Sequence, residues 1–232
     1  MPASQPFIRA VRKALRQAAV PADAGPMQAY MKSEMPFWGV KKPARATLAK
    51  AVIAEHPLAD YSTWHDTVQT LYLEAGRREE RYCALDLISH RSYRAHRRSW
   101  ESFELYETLI VAGAWWDLVD ELAAHHLGVL FEVEPKALSK HMRAWTRSDD
   151  LWRRRSAIIC QLRRRADTDT RLLTTAIDAA IDSKEFFLRK AIGWALRQHG
   201  DTDPDWVRAF VAAREDRLSG LSKREALRKL PP

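Results

Sequence analysis

Apolar residues recur along the chain at intervals of three and four positions, the spacing that places them on one face of an α-helix. Nowhere do β-branched residues alternate with polar ones over the length of a strand, and only 8 glycines occur. The pattern therefore predicts an all-α protein. The predicted helices cover residues 5–20, 26–35, 43–56, 61–75, 77–90, 99–113, 115–131, 135–146, 149–165, 169–182, 185–199 and 203–215.

Residue types that commonly begin or end helices occur at short intervals along the chain. Pro43 begins one helix, Pro57 ends it, and Asp149 can cap another. Many short helices with tight connections are typical of stacked hairpins, and we predict a curved α-solenoid of about six HEAT-like helical hairpins. An up-and-down bundle is the alternative. We interpret residues 1–232 as a single domain, and we expect its basic tail, residues 219–232, to be flexible.

The balance of charge favours an anionic partner. Lys and Arg outnumber Asp and Glu by 38 to 30, which gives a formal charge of +8 and suits nucleic acid or an acidic membrane surface. Much of the excess is arginine, in one cluster at residues 91–98 and another at residues 143–165. The planar arginine fork matches the geometry of phosphate.

Other features narrow the class of protein. Cys83 and Cys160 form no CxxC pair, which favours a reducing cytosol. The longest apolar run, residues 109–116, is too short to span a bilayer, so we predict a cytoplasmic protein with no membrane partner. The first helix is basic and amphipathic, as lipid-binding helices and transit peptides also are, but we interpret it as a packed helix. The histidines show no metal-ligand spacing and no glycine-rich nucleotide loop occurs, so we predict neither metal nor cofactor.

Two helices carry side chains that do not suit their positions. Trp194 points roughly 145° away from the centre of its helix's apolar stripe, next to Lys190 and Arg197. A large apolar side chain seldom stands among cations without a ligand. Trp116 and Asp120 lie one helical turn apart at the edge of another stripe. A half-buried Trp beside an ordinary surface acid is the structural explanation for that pair.

Arg155 falls inside the apolar stripe of residues 149–165. An unpaired charge there would cost on the order of several kcal/mol. The guanidinium can reach solvent along its apolar stem, meet a phosphate between repeats, or hold Asp120. Together with the misplaced tryptophans, Arg155 predicts a polar and aromatic site on one surface.

Four segments resemble the AlkD-type DNA alkylation repair glycosylases, and the resemblance runs from about Tyr30 to Val211. The segments are MKSEMPFWGV (31–40), AWWDLVDELAAHHLG (114–128), SDDLWRRRSAIICQL (148–162) and KAIGWALRQHGDTDPDWVRAFV (190–211). The residues that match the family's site in type and order are Trp116, Asp120, Arg155 and Trp194. One departure follows the first segment, where this chain has Lys41-Lys42 and related sequences often have Gln.

The resemblance implies a HEAT-like solenoid whose concave face binds alkylated duplex DNA. It implies a monofunctional glycosylase of base excision repair that removes 3-methyladenine and 7-methylguanine without flipping the lesion into a deep pocket, unlike most glycosylases. We expect a monomer with no obligate protein partner. The expected catalytic residues are Asp120, Trp116 and Trp194, and the expected DNA-binding residues are Arg155, Arg154, Lys190, Arg197, Tyr30 and Lys41.

The implied chemistry suits these residue types. An alkylated purine is cationic and already a good leaving group, so the enzyme must mainly stabilise an oxocarbenium-like sugar. A carboxylate such as Asp120 supplies the complementary charge and can orient water, while the faces of Trp116 and Trp194 attract the same cation. The alternative is a noncatalytic HEAT-like module that binds damaged or branched nucleic acid, and a protein-interaction scaffold is a third hypothesis.

Overall fold

In the computed structural model, which describes residues 2–230, the described chain is helical and contains no β-strand. A π-helical turn, Leu122–Leu127, joins the eighth and ninth helices. The α-helices are α1 (Gln5–Gln17), α2 (Pro21–Met31), α3 (Lys42–Glu55), α4 (Tyr61–Leu73), α5 (Arg78–Ser89), α6 (Arg94–Arg97), α7 (Ser102–Gly113), α8 (Trp116–Glu121), α9 (Gly128–Leu130), α10 (Pro135–Trp145), α11 (Leu151–Ile159), α12 (Thr170–Asp178), α13 (Phe186–Gly200), α14 (Pro204–Ala212) and α15 (Gly220–Leu227). The predicted all-α class is confirmed.

The chain divides into two compact units, with the boundary between Leu105 and Tyr106. The first unit contains α1 to α6 and the start of α7, and the second contains the helices from α8 onward. The single domain over residues 1–232 stays a prediction. No helix in the described residues is long and apolar enough to cross a membrane.

In the first unit, the segment between α2 and α3 is held by a buried carboxylate. Glu79 of α5 accepts hydrogen bonds from the backbone N–H groups of Trp38 (3.0 Å), Gly39 (2.9 Å) and Val40 (3.1 Å). Gly39 has a φ of 83°, and any Cβ there would collide with the carbonyl oxygen of Val20. The PFWGV motif noted in the sequence therefore forms a turn that requires glycine and an acidic partner.

The second unit is built on a core that α11, α12, α13 and α14 share. Its buried residues include Ile158 of α11, Ile177 of α12, and Leu188 and Leu196 of α13. Helical periodicity predicts that Ile158, Leu188 and Leu196 face inward, and their burial orients α11 and α13 side by side. The same two helices carry Arg155 and Trp194 of the candidate site.

The described residues differ from the predicted elements in several places. Pro26 lies inside α2 rather than at its start. The helix predicted over residues 149–165 ends at Ile159 and continues as turns. Within the tail expected to be flexible, residues Gly220–Leu227 form a helix, because Ser219 caps it and Ala226 is fully buried in the core. The last two residues of that predicted tail, 231–232, lie outside the described residues.

Candidate active site

The candidate site is centred on an ion pair that links two helices of the second unit. From α11, Arg155 donates two parallel hydrogen bonds to Asp120 of α8, from Nε to Oδ1 and from Nη2 to Oδ2, each 2.7 Å long. Its third nitrogen, Nη1, donates to the backbone carbonyl of Phe187 at the start of α13. The guanidinium thus joins α8, α11 and α13.

This geometry distinguishes among the three interpretations of Arg155. The residue is only 4% exposed, and its Nε and both Nη atoms are engaged by protein acceptors. Its head neither extends into solvent nor is free to receive a phosphate in this structure. The interpretation that the geometry supports is the one in which Arg155 holds Asp120 in place.

Asp120 is desolvated as well as paired. Its side chain is 16% exposed. Burial raises the pKa of Asp120 above its ordinary value of 3.8, and the hydrogen bonds and charge of Arg155 oppose that rise. A carboxylate in such surroundings is poorly screened by water and interacts strongly with a positive charge that develops next to it.

An aromatic cluster packs around the ion pair. The ring centroid of Phe187 lies 5.3 Å from that of Trp115, 5.0 Å from that of Trp152 and 5.4 Å from that of the exposed Phe186. The Phe187 ring also lies 6.0 Å from the guanidinium carbon of Arg155. The apolar stripe of residues 115–131 predicts Trp115 as a core residue, and the cluster was not predicted. Its one sequence signal is the Phe186-Phe187 pair that opens α13.

The two tryptophans predicted to be catalytic are both half-buried. Trp116 begins α8, one turn before Asp120. Trp194 packs partly against the core of the second unit, so the prediction that it lies outside the core is wrong in that respect. The neighbouring helices α11 and α15 cover more of α13 than a single amphipathic stripe indicates.

The rest of the Trp194 side chain lines an open cleft of about 800 Å³. The cleft is bounded by the π-helical turn after α8, by the connection from α11 to α12, and by α13. Two exposed arginines, Arg163 and Arg165, stand on its wall, and Arg163 Nη1 lies 2.8 Å from His125 Nδ1. Trp194 is thus accessible from a cationic cleft.

The π-helical turn itself was not predicted. Leu122–Leu127 begins two residues after Asp120 and inserts extra backbone into a segment that the sequence periodicity presents as one helix. Turns of this type are frequent near functional sites because they change the direction of the side chains that follow. The turn sets the orientation of His125, which lines the Trp194 cleft.

Besides Arg155, three of the expected DNA contacts in the second unit already have partners within the protein. Lys190 Nζ lies 3.0 Å from a carboxylate oxygen of Glu225 on α15, and Arg197 Nη1 contacts the other oxygen of the same carboxylate. Arg154 Nη2 donates to the carbonyl of Ala179 at 3.4 Å. The sequence pattern predicts an open polar face of α13 at Lys190 and Arg197, whereas α15 covers that face.

The remaining two expected DNA contacts belong to the first unit. Tyr30 on α2 is largely exposed. Lys41, at the N-cap of α3, forms an ion pair of 2.8 Å with Asp23. Their contact with DNA stays a prediction. Within the described residues, no group of three or more His, Cys, Asp or Glu side chains is arranged to hold a metal ion.

Comparison with known proteins identifies the family. The chain matches the family described as "DNA alkylation repair enzyme" over residues 11–230. It belongs to the DNA alkylation repair enzyme family. A solved structure described as a predicted DNA alkylation repair enzyme from Enterococcus faecalis shares 31% sequence identity and a TM-score of 0.80, and the match covers 91% of this chain and 96% of that chain. No curated protein matches.

Family membership confirms the resemblance that the four segments indicated. It also supports the all-α, solenoid-like fold class, since the similar structure matches nearly the whole of both chains. A DNA alkylation repair enzyme acts in DNA repair, and DNA is the substrate that this family implies.

Proposed function

We propose that this DNA alkylation repair enzyme is a monofunctional DNA glycosylase that excises cationic alkylated purines, such as 3-methyladenine and 7-methylguanine, from duplex DNA. One observation carries the proposal. Asp120 is a desolvated carboxylate held by two hydrogen bonds from a buried arginine, one turn away from a half-buried tryptophan. That arrangement suits the stabilisation of a cation better than it suits proton transfer.

The reaction needs little acid catalysis. When the bond between C1′ and the purine nitrogen breaks, its electron pair neutralises the positive charge on the alkylated base, and C1′ becomes electron-poor. The carboxylate of Asp120 is attracted to this oxocarbenium-like centre and can accept a hydrogen bond from the water that attacks it. Water then bonds to C1′ and loses one proton to the solvent, which leaves an abasic site and the free base.

The aromatic and basic residues have supporting roles in this proposal. The indole faces of Trp116 and Trp194 lie against the sugar and attract its developing positive charge. Arg155 positions Asp120 rather than DNA. Phosphate contacts near Trp194 fall to the exposed Arg163 and Arg165 of the same cleft, whose guanidinium groups suit phosphate oxygens.

The decisive experiment is the release of free base from N-methylated duplex DNA by the purified protein. Asp120→Asn should lose most of the release, because it keeps the size of the side chain and removes the charge. Asp178→Asn is the matched control, since Asp178 also receives two hydrogen bonds from one arginine, Arg214, in the same unit. Binding of methylated DNA without release would favour the noncatalytic module instead. We also propose that the protein is cytoplasmic and monomeric. Sedimentation of the purified protein tests the monomeric state.

A further inference from the structure

The C-terminal helix α15 crosses α13 at the turn that carries Trp194. Gly193 lies at the crossing, where a Cβ atom would stand 2.5 Å from Cβ of Glu225 and 3.0 Å from the carbonyl oxygen of Ser222. The hydroxyl of Ser222 donates to the carbonyl of Arg189 at 2.9 Å. The two helices therefore touch backbone to backbone, next to the residue that we propose contacts the sugar.

At this crossing, Glu225 lies between two cations. Its carboxylate is 11% exposed and contacts Lys190 through one oxygen and Arg197 through the other. Lys190 precedes Trp194 by four positions and Arg197 follows it by three. These are the spacings at which side chains on a helix become neighbours.

The charges of Lys190 and Arg197 matter because of what Trp194 must attract. A lysine or arginine released at these positions can lie over the indole face, and arginine stacks on tryptophan readily. It would then occupy the face needed by the sugar and repel an oxocarbenium-like centre. A single acid that binds both cations keeps them on the α15 side of the helix.

We propose that Glu225 is a positioning residue for Trp194. Glu225 holds Lys190 and Arg197 away from the indole ring of Trp194, so that the face of the ring is open to the reacting sugar. The inference rests on the proposed glycosylase function. It also reverses the expectation that these two cations bind DNA, and it assigns a function to a helix in the tail that the sequence predicted to be flexible.

The test compares variants that differ only in charge. Glu225→Gln keeps the size of the side chain and should slow single-turnover excision of 7-methylguanine by about tenfold. Affinity for duplex DNA should be unchanged or higher. The slope of log affinity against log salt concentration should become steeper by about one to two, because two cations become available to phosphate. Asp201→Asn is the control, since its 3.0 Å ion pair with Lys229 also ties the end of α13 to the C-terminal segment.

Two further measurements separate positioning from simple loss of stability. The triple variant Glu225→Gln/Lys190→Gln/Arg197→Gln should recover the excision rate, since it removes the released cations, whereas a structural defect would persist. Glu225→Asp, which keeps the charge, should excise faster than Glu225→Gln. Parallel falls in rate, affinity and melting temperature without recovery in the triple variant would overturn the proposal.

A readout without catalysis distinguishes this inference from the proposed function. The fluorescence of Trp194 is obtained as the difference between each protein and its Trp194→Phe derivative. Acrylamide should quench it less in Glu225→Gln than in the parent, because a cation covers the indole. Equal quenching would refute the positioning role even if the parent excises base. Failure of the parent to release any base would refute the glycosylase function, whatever the quenching shows.

Discussion

Replacement of Arg155 by methionine tests the central feature of the site. Arg155→Met keeps an unbranched, largely apolar side chain in the core but removes the guanidinium. Three hydrogen bonds disappear, two to Asp120 and one to the carbonyl of Phe187. Among the described residues, Arg155 is the one cation that forms an ion pair with Asp120, whose side chain is only 16% exposed.

The expected loss of stability follows from this geometry. Removal of one member of a buried ion pair destabilises a protein by about 3–5 kcal/mol, because the remaining charge is left in a medium of low polarity. Asp120 retains some contact with solvent, so we expect about 3 kcal/mol, at the lower end of that range. Arg214→Met is the matched control. It breaks an equally bidentate pair with Asp178, whose side chain is 37% exposed, and should cost about 1 kcal/mol.

The loss should depend on pH. Burial already raises the pKa of Asp120, and Arg155 opposes that rise, so the pKa in Arg155→Met lies higher still. An acid whose pKa in the folded state exceeds its unfolded value of about 3.8 destabilises the folded state at neutral pH. This destabilisation decreases as the pH falls through the folded-state pKa towards 3.8. The difference in stability between parent and variant should therefore narrow on acidification.

Urea denaturation measures the free energy of unfolding of the parent and of its variants. The variants are Asp120→Asn, Arg155→Met and the double variant Asp120→Asn/Arg155→Met. A loss below about 1 kcal/mol, with strictly additive single changes, would contradict a buried and coupled ion pair. DNA binding supplies the functional counterpart. Arg155→Met should slow excision with little change in affinity, whereas a weaker affinity with a salt slope reduced by about one would identify Arg155 as a phosphate contact.

Three further predictions address the proposed reaction. Asp120→Asn should slow single-turnover excision at saturating enzyme by about 10- to 1000-fold, because it removes the negative charge that stabilises the sugar cation. DNA affinity should be unchanged or higher, and parent-like rates would exclude Asp120 as the catalytic carboxylate. Affinity for undamaged duplex DNA should fall steeply across a salt series and depend little on sequence, and a flat log-log plot would remove the DNA-binding premise. Among single-lesion duplexes, cationic 7-methylguanine and 3-methyladenine should be released and neutral hypoxanthine or uracil poorly, since departure of a neutral base needs a proton donor; comparable release would demand a general acid or a base pocket.

Much of the fold could be predicted from local sequence. Helical periodicity placed Leu188 and Leu196 on the buried stripe of α13, and the structure buries both. Periodicity is a property of neighbouring residues, so it survives without knowledge of what the helix packs against. The same reasoning recognised Arg155 as an arginine at a buried position, and the family resemblance added its association with Asp120 in one site.

Helical periodicity could not decide which partners Arg155 and Lys190 have. Arg155 bonds to Asp120, 35 residues earlier, and Lys190 bonds to Glu225, 35 residues later. Which charges meet over such separations depends on how whole helices stack, and no local pattern encodes that. The face of α13 that carries Lys190 is polar in sequence, which is equally consistent with solvent, DNA or an acidic helix. Only the packing of α15 across Gly193 decides among them, because the absence of a Cβ there allows Glu225 to approach.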